Sequence, residues 1–121
     1  MAVKALTHTL DDLSKILHSI EYKIEKENKF KLEFQYNADN IQGIFIAWKR
    51  MPEAKKKRYR LYLKWVERDI ERPFVELPVE IKVACAKYLP PFLHAFREFL
   101  QEKTDLMEDE IAKLKAELEC Y

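Results

Sequence analysis

Glycine is almost missing from this chain: Gly43 is the only one in 121 residues. Phosphate-cradling loops and tight-turn β architectures need several positions free of a Cβ, so both are disfavoured from the outset. Cysteine is nearly as scarce. Cys85 sits in an apolar run and Cys120 lies next to the last residue, too few for the disulfide framework of a small secreted domain. Long hydrophobic runs are lacking too. The longest nearly uncharged stretch, Tyr36 to Trp48, is already broken by Asp39. A membrane helix needs about 20 consecutive apolar residues. The opening MAVKALTHTLDD has two acids and no apolar segment, unlike a signal peptide. Nor does one sign of charge dominate, since 22 basic residues face 21 acidic ones. A net charge of +1 gives no global pull towards nucleic acid or membrane. The expectation is a cytoplasmic protein without membrane association.

What is present suits one helix-rich domain over residues 1–121. Apolar residues make up 48% of the chain, enough for a real core, and charged residues 36%, above the usual quarter. Leu6, Leu10, Leu13, Leu17, Ile20 and Ile24 recur at four and three residues, which places them on one face of a helix over about 3–27. From Lys29 to Tyr36 polar and apolar residues alternate, Asn37 to Asn40 has turn chemistry, and Ile41 to Trp48 is rich in β-branched and aromatic residues. These features predict a β-hairpin over about 29–48. A competing reading continues the helical register through Phe34, Ala38, Ile41, Phe45 and Trp48, and would make the whole chain an all-α bundle.

Pro52 and Glu53 form a good helix start, and Tyr59, Tyr62, Trp65, Val66, Asp69 and Ile70 follow at helical spacing. A helix over 53–72 is therefore expected, stopped by Pro73. A short helix follows Pro78, with Ile81, Ala84, Cys85, Tyr88 and Leu89 inward, and Pro90-Pro91 breaks or kinks it. The last helix runs from Pro91 almost to the end. Its row Leu93, Phe96, Leu100, Met107, Ile111, Leu114, Leu118 and Tyr121 keeps a three-and-four rhythm, with Thr104 at the one polar position. The expected fold is thus mainly α, a helix-rich α+β domain resembling a four-helix bundle, with one hairpin and a long coiled-coil-like C-terminal helix. Residues 103–121 could project from it.

Catalysis finds no support. No P-loop, dinucleotide fingerprint, zinc-ligand pair or calcium loop occurs. His8, His18 and His94 lack the Glu-x-x-His spacing of a di-iron bundle, because Ala5, Lys15 and Pro91 stand three residues before them. His8 beside Asp11 and Asp12, and His94 beside Glu98 and Glu102, read as ordinary surface groups. Cys85 reads as helix core, where a thiol is inert. No cofactor, metal or catalytic residue is expected.

Two surfaces remain. Trp48, Lys49, Arg50, Lys56, Lys57, Tyr59, Arg60, Tyr62 and Lys64 form a basic stretch with interleaved aromatics, suited to phosphate contact and base stacking or to an acidic protein partner. Leu100, Met107, Ile111, Leu114 and Leu118 form the seam of the last helix, whose second half is acidic: Glu102, Asp105, Glu108, Asp109, Glu110, Glu117 and Glu119 outnumber Lys103, Lys113 and Lys115. Basic middle and acidic end could pair within a chain or between copies. The first and last helices, each with a heptad seam, are candidates to pair with one another. The expectation is a non-enzymatic interaction protein (adaptor, assembly factor or small regulator) that acts through helical surfaces as a homo-oligomer, with a homodimer favoured. A nucleic-acid-binding accessory protein using residues 49–65 is the alternative.

Overall fold

The computed structural model describes residues 2–52 and 58–121, with side chains from residue 11 onward. It contains two long helices and one four-stranded antiparallel sheet. Helix α1 spans Ala2–Glu27. Strands β1 (Phe34–Asp39), β2 (Ile44–Arg50), β3 (Tyr59–Trp65) and β4 (Ile70–Pro73) follow as a meander whose spatial order is the chain order. The two-turn helix α2 (Val79–Cys85) and one turn of 3-10 helix (Ala86–Tyr88) then lead into α3, Leu89–Glu119.

This overturns both the four-helix bundle and the all-α alternative. A hairpin forms, but its strands are 34–39 and 44–50, and it makes only half of the sheet. The helix expected over 53–72 is absent: among its described residues, Tyr59–Trp65 and Ile70–Pro73 are strands joined by a 3-10 turn, Val66–Arg68. Glu53 to Lys57, including the expected helix start, lie outside the described residues. The reason is visible in β3. Tyr59, Leu61, Leu63 and Trp65 point one way and Arg60, Tyr62 and Lys64 the other, a period of two. A tyrosine serves either face, so Tyr62 also completes a false helical row with Tyr59 and Trp65.

Cross-strand register aligns the inner face into rows: Phe34, Trp48 and Leu61; then Tyr36, Ile46, Leu63 and Arg72; then Ile44, Trp65 and Ile70. Against this face lie Leu17 and Ile24 of α1, Cys85 of α2 and Leu89, Phe92 and Phe96 of α3, all buried. Phe34 stacks on Phe96 with ring centroids 5.1 Å apart and touches Phe99 at 4.8 Å, which fixes β1 on the first half of α3.

Local chemistry explains the boundaries. The buried Asn28 ends α1, where its Nδ2 donates to the Leu32 carbonyl (2.7 Å) and its Oδ1 accepts from the Leu32 N–H (2.9 Å). In the β1–β2 turn, Asp39 Oδ1 accepts the N–H groups of Ile41 and Gln42. Gly43 then takes φ +68°, and a Cβ there would stand 3.1 Å from the Val66 Cβ. Pro90 and Pro91 do not break the final helix. They occupy its first turn, where N–H groups have no intrahelical partner.

Candidate functional site

Strand pairing sorts the basic-aromatic residues by parity. Lys49, Arg60, Tyr62 and Lys64 project from the sheet face opposite the helices, beside Gln35, Asn37, Phe45 and Glu71. Trp48 and Tyr59 belong to the inner face, and Trp48 is buried there. Arg50 is exposed at the end of β2, in register with Tyr59. Lys56 and Lys57 lie outside the described residues. The stretch read as one helical surface is therefore divided between two faces of a sheet.

Acids already occupy two of the cations on the outer face. Lys49 reaches diagonally to Glu71, forming an ion pair, and its ammonium lies 4.6 Å from the Tyr62 ring centroid. That hydrogen bond holds the Glu71 carboxyl below its ordinary range, while burial pushes the Tyr62 phenol up. Arg60 turns away over the strand edge. Its Nε and Nη2 donate to the two carboxylate oxygens of Glu21 at 3.2 Å each, and Nη1 stands 3.6 Å from Glu76. The hydrogen bond to Glu21 is the main cause that raises the Arg60 pKa. Strand β4 pairs only with Tyr62–Trp65, so the Leu61 N–H has no strand beside it and donates to Glu21 instead (3.2 Å). Among these residues Lys64 is exposed, opposite Glu71 in the β3–β4 register.

Among the described residues, the acids that pair with the basic side chains thus come from α1, β4 and the turn after it, and not from the acidic end of α3. Sequence reasoning missed Glu21, which looked like one more polar residue off the apolar face of α1. No local pattern marks it, because its partners are about 40 residues away.

The second surface is α3. Its first half packs in the core through Phe92 and Phe96, with Leu100 half-buried at the margin. From Asp105 to Tyr121 every residue except the half-buried Met107 is exposed. Ile111 is 45% exposed, Leu114 67% and Leu118 74%. The structure therefore divides the seam: Leu100 belongs to the fold, Met107 to its edge, and Ile111, Leu114 and Leu118 stand in solvent. Helices α1 and α3 do not pair along their lengths. They meet where Ile20 and Ile24 face Leu93, Phe96 and Leu100 across a cleft of about 160 Å³, with Lys23, Glu27 and Arg97 at its mouth.

Among the described residues no group of three or more His, Cys, Asp or Glu side chains could hold a metal ion. His94 bonds to Glu98 on the surface of α3, and burial raises the Cys85 thiol pKa. No helix with described residues is long and apolar enough to cross a membrane. What the fold and its surfaces define is an α+β domain carrying an overhanging helix. No family model, curated protein or solved structure matches the chain.

Proposed function

We propose that this protein is a non-enzymatic protein-interaction module of the cytoplasm, in which a folded head presents the second half of α3 as its docking element. The observation that carries this reading is the row Ile111, Leu114 and Leu118, left in solvent while Leu13, Leu17, Ile20 and Ile24 of the α1 seam pack on the core. An isolated helix of about 15 residues is marginal in water, so an apolar row on such an overhang gains most from a partner. Unpaired Cys85 and Cys120 suit a reducing compartment.

The test is the double substitution Ile111→Glu with Leu114→Glu in the full chain. Sedimentation and pull-down should show loss of association with itself or with any protein, while the melting of the head is retained. Unchanged association in that variant would sink the proposal. The nucleic-acid reading has less support, since Glu71 and Glu21 neutralise Lys49 and Arg60 on the face it would use.

A further inference from the structure

The cleft between α1 and α3 joins an apolar floor to a cationic mouth, and the interaction reading above uses neither. We propose that it binds a small amphiphilic anion from solution, a short hydrocarbon chain that ends in a carboxylate.

The floor comes from the two helical seams. Ile20 and Ile24 of α1 are four residues apart, and Leu93, Phe96 and Leu100 of α3 are three and four apart, so each helix turns one apolar row to the gap. Ile24 and Phe96 are buried, and Ile20, Leu93 and Leu100 are half-buried around a cleft of about 160 Å³. An apolar cavity of about 150 Å³ takes a benzene-sized solute, so the floor has room for about six carbon atoms. A partner helix, about 10 Å across with its side chains, is too wide to enter.

The mouth has the opposite character. Lys23 and Arg97 are exposed beside the floor, and Lys29 is exposed in an adjoining cavity of about 350 Å³. The two cavities share Glu27, Arg97 and Leu100, so they run into one another where the apolar floor meets the cations. Among the described residues no acid lies within ion-pair distance of Lys23, Lys29 or Arg97. Glu27 borders both cavities and pairs with none of them, which leaves three cations facing one acid. Lys49 and Arg60 differ in this respect, since Glu71 and Glu21 already hold them.

Charge complementarity thus selects an anion, and the floor selects one that carries an apolar chain. Arg97 is the group best placed for a carboxylate, because it borders both cavities and its planar fork can donate two parallel N–H groups. Gln101 and Thr104 line the outer cavity and offer further donors to the same head group. A neutral amphiphile leaves the cations unused, and a cationic one is repelled at the mouth.

The experiment titrates the full chain with octanoate, octan-1-ol and octylammonium, each below the concentration at which it self-associates. The methyl resonances of Ile20, Ile24, Leu93 and Leu100 are followed. Octanoate should shift them saturably and bind about tenfold more tightly than octan-1-ol, with octylammonium weaker still. Each methylene that enters the floor is worth about fourfold, so hexanoate should bind about tenfold more weakly than octanoate. Lys23→Gln with Arg97→Gln, both at exposed positions, should keep the melting of the head and erase the preference for octanoate over octan-1-ol. Ile20→Phe should fill the floor and remove binding of all three. Ile111→Glu with Leu114→Glu should bind octanoate as the wild type does, so this inference and the interaction reading fail separately. Absence of saturable shifts in the wild-type chain, equal affinity for octanoate and octylammonium, or shifts confined to residues outside the cleft would overturn the inference.

Discussion

Glu21 gathers three donors with one carboxylate: two N–H groups of the Arg60 guanidinium and the Leu61 backbone N–H. Both side chains are nearly buried, at 13% and 14% exposure, so removal of one partner leaves charge and backbone unsatisfied in a poorly hydrated place. Glu21→Ala should therefore destabilise the fold by about 2 kcal/mol in urea unfolding, and Glu21→Gln by less, because it keeps an acceptor for Leu61. Lys49 and Glu71 behave differently because they are more exposed. Glu71 is depressed by its hydrogen bond to Lys49, and Asp39 by the Gln42 N–H. A depressed carboxylate stabilises the fold above its unfolded pKa and loses that contribution as pH falls through its folded value. Stability should thus decline below the ordinary carboxylate range, near the reference values of 4.5 for Glu71 and 3.8 for Asp39. Lys49→Met should make that decline shallower by removing the share of Glu71. Thermal melts across pH 2 to 6, a range set by about two units around the carboxylate values, would show it.

At the scale of elements, α3 is two things in one helix. Phe96 lies in the core against Phe34, so Phe96→Ala should cost about 3–5 kcal/mol in urea unfolding, as large core aromatics do. The three-and-four rhythm of α1 and α3 was legible because long amphipathic helices repeat their signal many times. Strand β3 was not. It offers seven residues, and Tyr62 fills an outward position with a ring that counts as apolar in a helical row. The alternation Tyr59, Leu61, Leu63 and Trp65 competes in the sequence with the helical spacing that follows Pro52. Strand β4 has four residues, one of them a proline, and gives almost no periodic signal of its own. Its existence depends on pairing with β3.

For the whole molecule, the consequence is a change in which surface can act. Charge that looked like one basic helix is spread over a sheet and partly neutralised, whereas the apolar row of the terminal helix is both present and free. The candidate docking row could be read from spacing; the division of the basic stretch could not, since it follows from strand parity and from acids distant in sequence. If the outer sheet face nevertheless bound RNA or DNA, the exposed Lys64 would be the expected phosphate contact. Our reading predicts that binding to a single-stranded oligonucleotide is weak and that Lys64→Glu leaves any association through the α3 row unchanged. Fluorescence anisotropy across salt concentrations measures the first, and sedimentation the second. Strong binding that falls steeply with salt would favour the nucleic-acid alternative.

The meeting of Glu21 with Leu61 also bears on how this protein stays dispersed. Strand β3 extends beyond β4, and an uncovered strand edge is a template on which a foreign strand can grow. The Glu21 carboxylate occupies a donor of that edge and sets a negative charge beside it. Resistance to aggregation is thereby tied to the seating of α1. Any event that lifts this helix exposes that rim of the sheet.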